Sequence, residues 1–200
     1  MLIIESIVAT LIAYLFGSIS SAIIVCKIMR LPDPRTQGSK NPGATNVLRI
    51  GGKGPALITL LGDMLKGVIP VLVAKWLGLP DITIAFVTFA AFIGHLFPLF
   101  FGFAGGKGVA TALGCLLALS WPTGLTWIAT WLLIAGLFRY SSLSALIASI
   151  FAPFYIWYFT HHFIYVITIA LLSLILIYRH RSNIHNLIAG KESKIGKKKK

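Results

Sequence analysis

Residues 82–101 read ITIAFVTFAAFIGHLFPLFF, and residues 102–108, which follow directly, read GFAGGKG. The first stretch contains no Asp, Glu, Lys or Arg. A helix of about twenty such residues, rising ~1.5 Å per residue, matches the ~30 Å hydrocarbon core of a bilayer. The second stretch is a glycine-rich break with one lysine, after which an apolar run resumes over 109–119. The same alternation recurs outward in both directions. Apolar runs over 2–29, 55–77, 123–138, 143–159 and 163–178 are separated by short polar stretches. The pattern predicts an all-α polytopic membrane protein of seven transmembrane helices, some short, with the polar motifs on loops.

Composition agrees. The chain of 200 residues is 57% hydrophobic and 12% charged, with a mean hydropathy of +0.87. A soluble domain carries about 25% charged residues, so water-soluble packing is excluded. The first apolar run holds Glu5, lacks an early Lys or Arg and is too long for a signal h-region, so it reads as a retained span. Cys26 and Cys115 lie in apolar surroundings without a CxxC pair, which predicts packed free thiols.

The net charge of +13 is not spread as in a nucleic-acid-binding protein. Of 18 Lys and Arg, seven alternating spans put sixteen on one side: Lys27, Arg30, Arg35, Lys40, Arg49, Lys53, Lys107, Arg139, Arg179, Arg181, Lys191, Lys194 and Lys197 to Lys200. Lys75 alone falls on the other side, and Lys66 falls inside the second span. By the positive-inside rule the basic side is cytoplasmic, with the C-terminus on it and the N-terminus in the periplasm. A five-span count scatters these charges less cleanly. The Lys197–Lys200 run suits anionic headgroups or plain solvation. Residues 1–190 read as one membrane domain and 191–200 as a basic tail.

Three polar stretches fall on the cytoplasmic side. Residues 38–49, GSKNPGATNVLR, combine small residues that let backbone N–H groups approach an anion with the donors of Ser39, Asn41, Thr45 and Asn46 and the fork of Arg49. Gly105, Gly106, Lys107 and Gly108, ahead of an apolar helix containing Thr111, resemble a phosphate cradle without P-loop spacing. The third stretch is Arg179-His180-Arg181-Ser182-Asn183-Ile184, with Gly190 and Glu192 beyond it. Each stretch alone also fits a turn or a cytoplasmic span end. Within span two, Asp63 and Lys66 stand three apart on one helical face, and each costs roughly 2.5–3.5 kcal/mol at mid-bilayer unless paired. His95 has no second His or Glu at ligand spacing and reads as a hydrogen-bonding residue rather than a metal ligand. With five acidic residues in all and no Ser-His-Asp order or HExxH, the site is built for anions, with no metal or cofactor expected.

Taken in order, GSISSA at 17–22, Asp33-Pro34-Arg35 with GSKNPGATNVLR, Asp63 with Lys66-Gly67, GHLFPLFFGFAGGKGVAT at 94–111, and Arg179-His180, Asn183-Ile184, Gly190 and Glu192 resemble the bacterial acyl-phosphate:glycerol-3-phosphate acyltransferase family over nearly the whole chain. The resemblance implies transfer of a fatty acyl group from acyl phosphate to the 1-hydroxyl of sn-glycerol 3-phosphate at the cytoplasmic face of the bacterial inner membrane. Lysophosphatidate and phosphate are the products. Contacts with membrane lipid, and with the enzyme supplying acyl phosphate, are the further partners it implies. It makes Ser39, Arg49, Lys107 and Asn183 the expected catalytic residues. Asn41, Thr45, Asn46, His95, Gly105, Gly106, Gly108, Thr111 and His180 are the expected substrate-binding ones. Three positions depart from the family: Lys40 stands where it usually has Gly, Ala104 where it often has Lys, and Asn186 where it often has Arg.

Two other classes share the spans. A transporter for a phosphorylated solute needs polar groups continuing across the membrane, and apart from Asp63 and Lys66 spans two to seven offer few. An acyltransferase using acyl-CoA or acyl carrier protein commonly has His followed at +5 by Asp, which this sequence lacks.

Overall fold

A computed structural model describes residues 2–196; the Lys197–Lys200 run lies outside them. The described residues form ten α-helices and one 3-10 turn and contain no strand. Helices α1 (Leu2–Gly17), α2 (Ser21–Ile28), α3 (Ala44–Gly51), α4 (Lys53–Trp76), α5 (Asp81–Leu96) and α6 (Val109–Leu119) make one compact unit. Helices α7 (Trp121–Phe138), α8 (Ser141–Thr160), α9 (Phe163–Arg179) and α10 (Arg181–Ile188) make a second.

Helix α4 shows why these helices belong in lipid. Its protein-facing side carries Thr59, Asp63, Lys66 and Gly67, whereas Leu57, Ile58, Leu61, Leu65, Ile69, Leu72 and Trp76 face outward. Polar groups inside and apolar groups outside invert the soluble pattern, as a hydrocarbon solvent requires. Exposed Trp76, Trp121, Tyr158 and Phe163 stand at helix ends, where interfacial aromatics belong.

In the first unit, small residues let the helices approach backbone to backbone. A Cβ at Gly17 of α1 would run into the Ala91 carbonyl of α5, and one at Gly114 of α6 into the Met64 carbonyl of α4. Without a hydrophobic drive between helices in lipid, this packing supplies the attraction. In the second unit, α7 is joined to α8 through Arg139-Tyr140 and α8 to α9 through His161-His162, with Arg139 and His161 in left-handed caps. Thr130 Oγ1 and Tyr155 OH, 2.9 Å apart, tie α7 to α8.

Among the described residues, four helical stretches are long and apolar enough to cross a membrane, and two bent pairs raise this to six. The first expected span is one such pair, bent by 40° between α1 and α2. The last expected span runs into another, bent by 58° where α10 leaves α9, so the third polar stretch, expected on a loop, continues into a helix. Helix α6 has 11 residues, about 16 Å of rise, which falls short of the hydrocarbon core by itself. The run expected over 123–138 starts two residues earlier, at Trp121-Pro122, because proline fits the first helical turn.

Candidate active site

The first polar stretch is shaped by one buried side chain. Asn46, on the first turn of α3, is 1% exposed. Its Oδ1 accepts the Ser39 N–H at 2.8 Å, and its Nδ2 donates to the carbonyls of Pro34 (2.8 Å) and Gln37 (3.0 Å). Gly38, with φ +62°, sits against this amide, and a Cβ there would strike Asn46 Oδ1. The loop is thus wound around Asn46, leaving Ser39 and Lys40 exposed on its outer side, with Thr45 and Arg49 exposed on α3. Asn41 is half-buried and Pro42 buried. The loop's acid, Asp33, accepts from Arg35 Nε (3.0 Å), Nη2 (2.6 Å) and the Arg35 N–H (2.8 Å). These bonds hold its carboxyl below the usual carboxylate range, so the loop presents no unneutralised negative charge.

The second stretch folds over the C-terminal end of α5. After the Leu99–Phe101 turn, Gly102 and Phe103 adopt left-handed conformations and swing the chain back. Gly105 lies against the His95 and Leu96 carbonyls, where any Cβ would collide, and the Gly106 N–H donates to the His95 carbonyl at 3.2 Å. A Cβ on Gly106 would strike His95 Nε2 and come within 2.9 Å of the Pro42 carbonyl. Gly106 therefore marks where the two stretches meet, and Arg35 Nη1 adds a second tie by donating to the Phe101 carbonyl at 3.4 Å. Gly108 is buried against Phe92, and Lys107 between them is half-buried.

Beneath this junction lies a buried charge cluster. Asp63 Oδ1 is 2.9 Å from Lys66 Nζ and 3.7 Å from His95 Nδ1, with the three residues 2%, 3% and 6% exposed. Lys66 also donates to the Ile19 carbonyl at 2.8 Å, in the break between α1 and α2. Thr111, fully buried, donates its hydroxyl to the Asp63 carbonyl at 2.9 Å and so anchors the start of α6.

The third stretch belongs to the second unit. His180 is buried at the α9–α10 bend, its Nδ1 2.8 Å from the Leu176 carbonyl. Glu192 Oε1 accepts from both Asn183 Nδ2 and Ser142 Oγ at 2.9 Å. The segment after α10 is pinned further by Ile195 N–H donating to the Arg139 carbonyl at 2.7 Å.

Within the first unit, then, two of the expected stretches touch, and Ser39, Asn41, Thr45, Asn46, Arg49, His95, Gly105, Gly106, Lys107, Gly108 and Thr111 are all placed there. His180 and Asn183 are placed in the second unit. Sequence reasoning found the Asp63–Lys66 pair but not its meeting with His95, the Arg35 tie to Phe101, or the hold of Glu192 on Asn183.

A family model described as glycerol-3-phosphate acyltransferase matches residues 7–190. The chain belongs to this family. It is 54% identical over 187 residues to the glycerol-3-phosphate acyltransferase of Methylococcus capsulatus, covering 94% of each chain. It is 55% identical over 198 residues to that of Burkholderia multivorans, covering 98% of this chain and 93% of the relative. Among solved structures, PlsY (YgiH), an integral membrane glycerol 3-phosphate acyltransferase, in its glycerol 3-phosphate form matches with a TM-score of 0.92 at 38% identity over 96% of each chain. Its lysophosphatidic acid form matches with a TM-score of 0.89 at 36% identity. The protein is accordingly a glycerol-3-phosphate acyltransferase and a multi-pass bacterial membrane protein.

Proposed function

We propose that the donor is acyl phosphate and that the fatty acyl group passes to the 1-hydroxyl of sn-glycerol 3-phosphate, giving lysophosphatidate and inorganic phosphate. The observation that carries this reading is the junction at Gly106. There a glycine loop bearing Lys107 packs on a loop whose one acid is neutralised by Arg35. Such a junction supplies backbone N–H groups and cations to phosphate-bearing molecules.

Gly105, Gly106, Lys107 and Gly108, with His95, are assigned to the phosphate of glycerol 3-phosphate. Ser39, Asn41, Thr45 and Arg49 are assigned to the acyl phosphate. Asn46 and Thr111 act by holding the loops, since their side chains are engaged with the protein. Asn183 and His180 are retained as catalytic and binding residues on the family resemblance.

The hydroxyl oxygen attacks the acyl carbon, the bond to the phosphate oxygen breaks, and the hydroxyl proton passes to a phosphate oxygen of the departing group. Acyl phosphate is already activated, so alignment of the two reactants can contribute up to roughly 7–11 kcal/mol. Lys107 and Arg49 stabilise charge on the phosphates.

Residues 1–190 form the acyltransferase domain in this reading and 191–200 its basic tail. Helix α6 is the seventh membrane element, crossing part of the bilayer. In this reading the loops face the cytoplasm, the N-terminus faces the periplasm and the inner membrane is the site of action; the charge distribution supports the orientation. The enzyme supplying acyl phosphate is the expected partner.

The test offers purified protein glycerol 3-phosphate with acyl phosphate, acyl-CoA or acylated carrier protein. Lysophosphatidate should form with acyl phosphate alone. Faster formation from acyl-CoA would overturn the donor assignment, and stable acylation of Ser39 in the absence of glycerol 3-phosphate would replace direct transfer with a covalent route.

A further inference from the structure

We infer that Asp63 is a positioning residue for acyl transfer: its carboxylate, held by Lys66, fixes the His95 ring so that Nε2 faces the Gly105–Gly108 loop and contacts the phosphate of glycerol 3-phosphate. The inference deepens the proposed function and rests on its assignment of that loop to glycerol 3-phosphate.

Three observations converge on Asp63. Its Oδ1 stands between two groups from different elements, Lys66 Nζ at 2.9 Å and His95 Nδ1 at 3.7 Å. The two imidazole nitrogens therefore have separate surroundings. Nδ1 turns inward to the carboxylate, and Nε2 turns to Gly106, where an added methyl would collide with it. A carboxylate facing one ring nitrogen orients the ring, and the doubly protonated form of a ring so placed carries an Nε2–H that donates to a phosphate oxygen. Finally, the Asp63 carbonyl accepts the Thr111 hydroxyl, so one residue grips both flanks of the glycine loop: His95 before it and Thr111 after it.

A purely structural role is the competing account. An apolar pair of similar volume holds helices together as well as a buried ion pair does. Asp63, Lys66 and His95, almost sealed from solvent between two apolar helices, are costly to keep for packing alone. Lys66 has a structural partner of its own in the Ile19 carbonyl, so it can hold the α1–α2 break without Asp63. His95 is the member of the cluster whose ring reaches the loop.

The experiment uses full-length protein and reads KM for glycerol 3-phosphate, kcat and the thermal unfolding midpoint. Asp63→Asn leaves Lys66 unbalanced and can fail to fold, so the paired variant Asp63→Asn/Lys66→Met, which removes both charges, is the main probe. It should fold and raise KM for glycerol 3-phosphate about tenfold with a smaller change in kcat. His95→Gln should raise KM by a similar factor. Combining the two should add little, because both remove the same contact. An unchanged KM in a folded paired variant, or effects that multiply with those of His95→Gln, would overturn the inference. So would a paired variant that is unfolded while His95→Gln retains the wild-type KM. Lys107→Ala, run alongside, separates the two levels. An unchanged KM there defeats the loop assignment itself, whereas a raised KM there with an unaffected paired variant defeats the role of Asp63 alone.

Discussion

The side chain of Asn46 occupies the place a backbone strand would take: its carboxamide accepts the Ser39 N–H at 2.8 Å and gives both protons to carbonyls of the same loop. The exposed Ser39 is thus positioned from behind by a residue that is itself 1% exposed. Asn46→Ala takes their partner from the Ser39 N–H and from the Pro34 and Gln37 carbonyls, and should cost about 1–3 kcal/mol of stability. Thermal unfolding and kcat/KM are the readouts. The midpoint should fall, and kcat/KM should fall with it as Ser39 loses its support.

Lys40 carries φ +55°, a left-handed backbone conformation. That geometry suits glycine, the residue the family resemblance leads one to expect here. A side chain in this region costs of the order of 1 kcal/mol. Lys40→Gly should therefore raise the unfolding midpoint. A fall in activity in the same variant would show that the Lys40 charge serves the substrate, and equal activity would show that it does not.

Gly106 is fixed by close approach. Alanine there drives a methyl into the His95 ring and against the Pro42 carbonyl, and neither can withdraw without moving a loop. Gly106→Ala should lower kcat/KM for glycerol 3-phosphate about tenfold or more, on the scale set by loss of one charge-assisted contact. Gly136→Ala, in a helix with open space around the site, should leave kinetics unchanged.

How far the sequence reaches is visible in particular residues. The apolar runs and the Asp63–Lys66 pair are legible because helical spacing and chain chemistry are local, whereas the packing of Gly105 and Gly106 against His95 is not. The bend between α1 and α2 is not legible either, because the Lys66 side chain that meets the Ile19 carbonyl at the break comes from another helix. The approach of His95 to Asp63 is hidden for the same reason: it arises from helix packing. Asn46 looks from its type like a donor to substrate, and its type does not reveal that it is buried with its carboxamide bonded to the loop. Lys75, the one basic residue on the expected far side, has a structural reason to be there. Its Nζ donates to the Ala118 and Leu119 carbonyls, both at 3.1 Å, and closes the end of α6.

Glu192 holds Asn183 and Ser142 through a single carboxylate oxygen. Glu192→Ala should lower both thermal stability and kcat, since it frees the Asn183 carboxamide and leaves two donors unmet. Glu192→Gln keeps an oxygen acceptor and loses only the charge, so it should fall between the wild type and Glu192→Ala in both assays.

The proposed function assigns the phosphate of glycerol 3-phosphate to the Gly105–Gly108 loop, with Lys107 as its cation. Equilibrium binding of glycerol 3-phosphate to purified wild-type and Lys107→Ala protein tests it without reference to the acyl donor. Removing one charge-assisted contact should weaken binding by about tenfold or more while the protein stays folded. An unchanged dissociation constant in the folded Lys107→Ala protein would contradict the claim.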